Sequence, residues 1–338
     1  MANVLAPEKR ALAIHLMVEG MSMRAIQRTM RISLNTVYKL HADAGEAALA
    51  YHKKVARDLP VHLVQCDEIW SFCYTKQKNV ADAVAAPPGA GDVYTWTALD
   101  VESKFMLAWE VGDRSTKMAH RLMKNLKKRL DGQRIQLTTD GYKSYPIAVR
   151  KAFGDDIDYA TLVKTFSKDK DGNKSASIDA RTVTGNPDPQ FINTSYVEAS
   201  NKSIRMGNKR YTRETNAYSK RLESHRHSIA LFFLYHNFCW AHSGINKKTP
   251  AQAIGLADEK KDLDWVVGLI EKQAPKPNRP KTYKKRELKI PETVTIDPSM
   301  IGVSRHVGSR PQVKLRKIKP GVSGTQKAPV RRSYRSVK

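Results

Sequence analysis

Up to residue 43, apolar residues recur at helical spacing. From His62 the pattern changes to alternation. Leu12, Leu16 and Met17 make a first stripe that Gly20 ends. Ser22 is placed to cap a helix over Met23–Met30, with Ile26 and Met30 facing inward, and Ser33 to cap another over Leu34–Ala42, with Val37 and Leu40 buried. The last two of these helices are joined by a short turn at Arg31–Ser33, the layout of a helix-turn-helix. Residues 44–60 are Ala-rich, then charged, and end at Pro60; they read as a helical linker.

His62–Trp70 alternates with apolar residues on both faces. Leu63, Gln65, Asp67 and Ile69 share one face, and Val64, Cys66, Glu68 and Trp70 the other. A strand apolar on both faces is a central one, covered on both sides. Lys76–Asp92, with its Ala-Pro-Pro-Gly-Ala-Gly run, reads as an exposed hairpin loop. Val93–Val101 and Lys104–Val111 are β-branched and aromatic, with Glu102-Ser103 as the turn between them. A helix capped at Ser115 or Thr116 follows, carrying Leu122, Leu126 and Leu130, and Asp131-Gly132 breaks it. Arg134–Thr139 is a fourth strand with Asp140-Gly141 at its carboxyl end, and Pro146–Phe153 a further helix. Asp155–Gln190 is polar and turn-rich and reads as a solvated insertion, about 155–192. Asp169, Asp171 and Asn173 tempt a calcium-loop reading, but the bidentate Glu and flanking helices of an EF-hand are missing. Helices are predicted over Thr194–Arg205, Asn216–Ala241, Pro250–Leu256 and Leu263–Glu271.

Composition adds a partner. The chain has 338 residues and a formal net charge of +26, which points to a polyanion, nucleic acid first. Residues 272–338 hold nineteen Lys and Arg against three acids and few large apolar residues, the composition of a disordered basic tail. No apolar run reaches the roughly 18–20 residues a bilayer span needs, and no basic-then-apolar signal peptide opens the chain. Cys66, Cys73 and Cys239 are odd in number and widely spaced, which suits a reducing cytoplasm rather than a disulfide framework.

Three acids stand where chemistry could use them. Asp67 lies inside the first strand, Asp140 ends the fourth, and Glu198 opens a helix 58 residues further on. Three antiparallel strands, a helix and a strand parallel to the first make the order of a ribonuclease-H-like mixed α/β sheet, in which strands one and four are neighbours. Asp67 and Asp140 would converge there, and a helix across the edge could bring Glu198. Carboxylates so close repel one another unless a cation joins them. Oxygen ligands suit Mg²⁺ or Mn²⁺, and two such ions can activate a nucleophile and stabilise a leaving oxygen.

Cys66-Asp67-Glu68-Ile69-Trp70-Ser71-Phe72, Thr139-Asp140-Gly141-Tyr142-Lys143-Ser144-Tyr145 and Val197-Glu198-Ala199-Ser200-Asn201-Lys202-Ser203-Ile204-Arg205 resemble the three acidic motifs of the DDE transposases of the insertion-sequence-one family. Tyr218–His225 resembles the segment that follows them there. The similarity covers roughly residues 62–250. It implies a metal-binding and catalytic triad of Asp67, Asp140 and Glu198, two Mg²⁺ or Mn²⁺ ions, and DNA as partner, with transposon ends and target bound by a homo-oligomer in a prokaryotic, nucleoid-associated setting. The long interval before Glu198 and the long basic tail depart from the family's pattern.

The expected organisation is a helix-turn-helix domain over 1–45, a linker over 46–60, the catalytic domain over 61–256, and a helix with basic tail over 257–338. Asn35, Thr36, Tyr38 and Lys39 are the groove-facing candidates. Asn201, Lys202, Arg205, Lys209, Arg210 and Arg213 form a basic track beyond the acids. Glu68 alternates to the face opposite Asp67 and reads as structural. Glu223 is the rival third acid, or pairs with Arg226 or Lys220. His225, His227, His236, Cys239 and His242 raise zinc, but without zinc-finger spacing they read as helix residues or phosphate contacts. Two functions compete with transposition: a nuclease on the same fold that cuts without joining, and a DNA-binding regulator with a decayed acid cluster.

Overall fold

The computed structural model describes residues 4–168 and 174–273. The candidate calcium loop at Asp169, Asp171 and Asn173 and the basic tail beyond residue 273 lie outside the described residues. Three helices lead: α1 (Pro7–Val18), α2 (Met23–Met30) and α3 (Leu34–Val55). Ser22 Oγ accepts the N–H of Ala25 at 3.2 Å and Ser33 Oγ that of Asn35 at 3.3 Å, so both expected caps form. Each such cap contributes about 1 kcal/mol. The buried face of α1 is Ala13, Ile14, Met17 and Val18, while Leu12 is half exposed.

The third helix does not stop at Ala42, as its pattern predicts. It continues through the linker to Val55, because Ala44, Ala47 and Ala48 extend its buried face and keep it helical. Its far end is closed by Arg129, which donates to the carbonyls of His52, Lys53 and Ala56 at 3.5, 3.5 and 3.0 Å.

The sheet is the expected mixed α/β one. Strands β1 (Leu63–Cys73), β2 (Gly91–Asp100) and β3 (Met106–Gly112) pair antiparallel in succession. Helix α4 (Thr116–Lys127) returns the chain so that β4 (Gln136–Asp140) lies parallel to β1, and α5 (Ser144–Phe153) leads to β5 (Asp158–Lys168), parallel to β4. With β6 (Lys174–Thr184) the six-stranded order is β3-β2-β1-β4-β5-β6. The first five strands have the ribonuclease-H-like arrangement.

The β5–β6 hairpin corrects the expectation of a solvated insertion. The first half of β5, Tyr159 to Leu162, is buried against β4, whereas β6 is exposed from Ser177 to Val183 and only half-buried at Thr184. β6 has only Ile178 and Val183 as large apolar residues and exposes both, so no strong hydrophobic face marked it in a polar stretch.

Helices α6 (Ser195–Gly207), α7 (Leu222–Phe238), α8 (Pro250–Ala253) and α9 (Leu263–Gln273) complete the described chain. The long helix expected from Asn216 begins only at Leu222, because the preceding residues run along β1: Ser219 pairs with Cys73, and Tyr74 N–H donates to its carbonyl at 2.7 Å. Asn237 of α7 takes the place of a neighbouring strand at the edge of β3, accepting from Met106 N–H at 2.9 Å and donating to Met106 C=O at 3.2 Å. Helix α3 crosses α7 where Gly45 meets His227; a Cβ at Gly45 would lie 2.3 Å from His227 Cβ. Glycine is what permits that approach.

Candidate active site

Strand β1 pairs with β4 only as far as Cys66 opposite Thr139. One step further, Asp67 and Glu68 flank the end of β4, where Asp140 is the last residue and Gly141 turns the chain away. Carboxylate oxygens of Asp67, Glu68 and Asp140 lie within 4.8 Å of one another. Alternation assigns Glu68 to the opposite face from Asp67, yet the structure brings its carboxylate to the same acid cluster. Where the neighbouring strand stops, a long side chain can reach the same end of the sheet from either face.

Each carboxylate is held. Asp67 accepts from the Glu68 N–H at 2.8 Å and from Asn201 Nδ2 at 2.7 Å. Asp140 accepts from the Tyr142 N–H at 3.0 Å. Arg114 bridges the other two, with Nε 3.2 Å from Glu68 and Nη2 3.9 Å from Asp140. Its guanidinium lies 4.3 Å above the ring of Tyr142, whose hydroxyl donates to the Arg114 carbonyl at 2.8 Å. The Glu68 side chain is only 2% exposed. Its second oxygen is buried with no hydrogen-bond partner, as is the hydroxyl of Tyr145, whose ionisation is opposed by burial and then by the Glu68 charge.

Electrostatically the cluster wants a cation. Burial pushes Asp67 up to about 6, with the charges of Asp140 and Glu198 adding to it against the hydrogen bond from Glu68 N–H. Burial and then Asp140 push Glu68 up to about 7. Asp140 is raised as well, again by burial. Three crowded carboxylates, an orphaned buried oxygen and an all-oxygen donor set fit a hard divalent ion, and one arginine shared among them leaves a negative balance.

Glu198 sits in the first turn of α6, where its Oε1 accepts from Thr194 Oγ1 at 2.6 Å. Its charge bears on Asp67, but it is not one of the three acids within 4.8 Å. What places α6 is Gln65, on the same face of β1 as Asp67. Gln65 Oε1 accepts the N–H groups of Tyr196 and Val197, both at 3.0 Å, and its Nε2 donates to Asn193 Oδ1 at 2.8 Å. Sequence reading missed Gln65 as a site residue. The available signal was a buried amide two positions before a strand carboxylate. Glu223, the rival third acid, stands on the first turn of α7 beside Glu46 and His227.

The basic residues divide. Asn35, Tyr38 and Lys39 are exposed on one side of α3 and Thr36 is half-buried; Lys39 pairs with Asp43 at 2.6 Å. Lys202 and Arg213 are exposed. Arg205 spends its terminal nitrogens on the carbonyls of Tyr211 and Trp70 at 3.0 and 3.2 Å. Arg210, lowered to about 10 by burial, donates to Ser219 Oγ at 3.2 Å. Lys209 and Arg210 line a cleft of about 1070 Å³ with Arg24, Arg28, Lys220 and Tyr38. The histidines considered for zinc are packed: His225 bridges Ser71 and Ser219 at 3.0 and 2.8 Å, and His236 contacts the Lys104 carbonyl at 3.0 Å. Burial lowers both to about 3. The Cys239 thiol faces the Asp262 carbonyl at 3.8 Å.

No protein-family model matches this chain, and no curated protein does. Similar solved structures are transposases. A piggyBac transposase synaptic complex with hairpin DNA shares 10% identity over 82% of this chain and 76% of that one, with a TM-score of 0.36. A pre-cleavage Mos1 transpososome shares 12% identity over 47% of this chain and 60% of that one, with a TM-score of 0.21. A Mos1 transposase paired-end complex with the left transposon end shares 14% identity over 45% and 58%, with a TM-score of 0.18. None of the described helices is long and apolar enough to cross a membrane.

Proposed function

We propose that this chain is a DNA transposase of the DDE type, in keeping with its resemblance to the insertion-sequence-one family. The observation that carries the reading is the convergence of Asp67 and Asp140 at the point where parallel strands β1 and β4 part, with Glu198 brought toward them on α6. Asp67, Asp140 and Glu198 are the residues that would hold Mg²⁺ or Mn²⁺. Bound there, the ions would supply Lewis-acid activation of a water or a 3′-hydroxyl and neutralise charge on the leaving oxygen.

The protein's own part is positioning. Asn201 fixes the Asp67 carboxylate and leaves one of its oxygens accepting only a backbone N–H. Arg114 ties Glu68 to Asp140, so that the acids move together. Gln65 sets where Glu198 starts. Lys202 and Arg213, both exposed, would set positive charge along the scissile strand, and Asn35, Thr36, Tyr38 and Lys39 of α3 would read the end sequence from a major groove. The reaction is hydrolysis of a phosphodiester at the 3′ end of the element, followed by in-line attack of the freed 3′-hydroxyl on target DNA. No covalent enzyme intermediate is required, since alignment and charge neutralisation lower the barrier. Two ends must be held together, so the working form is a homo-oligomer on DNA in a prokaryotic cytoplasm.

The test is strand transfer from a pre-cleaved end in Mg²⁺. Joined product supports the proposal. Cutting without joining would make the chain a nuclease on this fold, and end binding with neither reaction would make it a regulator.

A further inference from the structure

A second ligand set lies away from the acid cluster, where α3 crosses α7. Glu46 comes from α3; Glu223 and His227 come from α7, four residues apart and so on one helix face. Carboxylate oxygens of both acids and a ring nitrogen of His227 lie within 4.8 Å of one another. The close approach at Gly45 is what brings Glu46, the next residue, against that face.

Among the described residues neither acid forms a salt bridge, and the bases three residues to either side of Glu223 are engaged elsewhere. Lys220 Nζ sits 3.2 Å above the ring of Tyr218, and Arg226 Nη2 donates to the Val111 carbonyl at 3.3 Å. On α3, Lys39 is taken by Asp43. His227 is the independent sign of a ligand. It is buried, only 7% exposed, has no hydrogen-bond partner among the described residues, and presents a ring nitrogen to the two carboxylates. Two like charges held together, with the imidazole of a largely buried histidine facing them, are an arrangement that a cation resolves.

We propose that Glu46, Glu223 and His227 bind a divalent transition ion of the Zn²⁺ class that fastens α3 to α7. The carboxylate oxygens are hard donors that many divalent ions accept, and the imidazole nitrogen is the borderline donor that favours Zn²⁺ over Mg²⁺ or Ca²⁺. Three protein ligands leave a fourth position for water. The ion's role is orientation: Glu46 lies beyond Asn35–Lys39 on the same unbroken helix, so fastening α3 fixes the exposed end of that helix relative to the sheet.

The experiment uses the full chain carrying Asp67→Asn, Glu68→Gln and Asp140→Asn, which removes all three clustered carboxylates as a competing site and makes the result independent of the transposase reading. Zn²⁺ is titrated by calorimetry, Co²⁺ by visible absorption, and thermal unfolding is recorded with and without Zn²⁺. Expected are one Zn²⁺ per chain in the micromolar range, cobalt ligand-field bands, and a Zn²⁺-dependent rise in Tm. Adding Glu46→Gln or Glu223→Gln, both exposed positions that should not disturb folding, should weaken Zn²⁺ by at least about tenfold and remove the Tm shift. Zn²⁺ affinity unchanged by both substitutions, or no Zn²⁺-dependent Tm shift in the parent chain, would overturn the proposal.

Discussion

The Gln65 side chain accepts the backbone N–H of Val197 at 3.0 Å, joining the central strand to the first turn of the helix that carries Glu198. The first N–H groups of a helix have no partner within it. Here a strand residue supplies one, also taking the N–H of Tyr196. Gln65→Ala should therefore leave two backbone donors unsatisfied and lower stability by about 1–3 kcal/mol. Metal-dependent cleavage should fall more than end binding, because Glu198 loses its position while the basic surfaces stay. Thermal unfolding together with cleavage and binding assays checks this; equal losses in both assays would make Gln65 a residue of general stability only.

The acids themselves should separate in function. Asp67→Asn and Asp140→Asn are expected to lower cleavage and joining by about 100-fold or more while end binding persists, since charge is lost and shape is kept. Glu198→Gln should match them, whereas Glu223→Gln, which lies with Glu46 and His227, should stay within about tenfold of the parent. Near-parental joining by either Asp variant would refute the metal reading, and an inactive Glu223→Gln beside an active Glu198→Gln would reverse the choice of third acid.

Burial holds Asp67 near 6 and Glu68 near 7, so the folded chain keeps protons that the unfolded chain has already released. In the absence of divalent ions, these two groups make stability fall as pH rises from the ordinary carboxylate range to about 7, and below that range their contribution is full and constant. Glu68→Gln should flatten that fall, and Mg²⁺ should oppose it by binding the ionised form. The check is Tm against pH in chelator and in Mg²⁺. A chelator profile that rises through this window and is unaltered by Glu68→Gln would contradict the buried-carboxylate account.

Gly45→Ala should destabilise the crossing of α3 and α7. The new Cβ would lie 2.3 Å from His227 Cβ and 2.6 Å from its Cα, and backbone cannot yield as a side-chain tip can. A loss of about 1–3 kcal/mol is expected despite alanine's higher helix propensity. Denaturant unfolding measures it. A gain in stability would show that the two helices are not closely packed there.

The legible parts of this fold were those with a buried face. Strand β1 was readable because apolar residues flank Asp67 on both sides, and its pairing with β4 followed from the order of elements. β6 was not, because a strand exposed on its surface looks like a loop when only hydrophobicity is read. In the candidate site, the meeting of Asp67 with Asp140 was legible from the order of the strands, and the place of Glu198 at the start of a helix from its local pattern. Glu68 was misplaced because strict alternation assumes that a neighbouring strand continues, and β4 ends one residue before alternation would matter. Gln65 and the set formed by Glu46, Glu223 and His227 depend on packing between elements far apart in the chain, which no local spacing announces.

Binding to DNA should divide between the head and the tail. Asn35, Tyr38 and Lys39 stand exposed on one helix, a layout that can reach base edges. Residues 274–338 contribute many Lys and Arg and few acids. Charge of that kind acts by releasing counterions, and the slope of log affinity against log salt steepens with each phosphate neutralised. Deleting 274–338 should therefore weaken binding to end DNA and to random DNA by similar factors and flatten the salt slope. Removing the exposed groups of α3 by Asn35→Ala, Tyr38→Ala and Lys39→Ala should instead reduce the preference for ends, by about 1–3 kcal/mol for each side chain that pairs with a base edge, with little change in non-specific binding. Point substitutions are the safer probe of the head, because α3 shares its core with α7 and a deletion would open that core. A salt titration of both variants against both DNAs makes the comparison. If the tail deletion selectively erased end preference, the tail would be reading sequence and the division would be wrong.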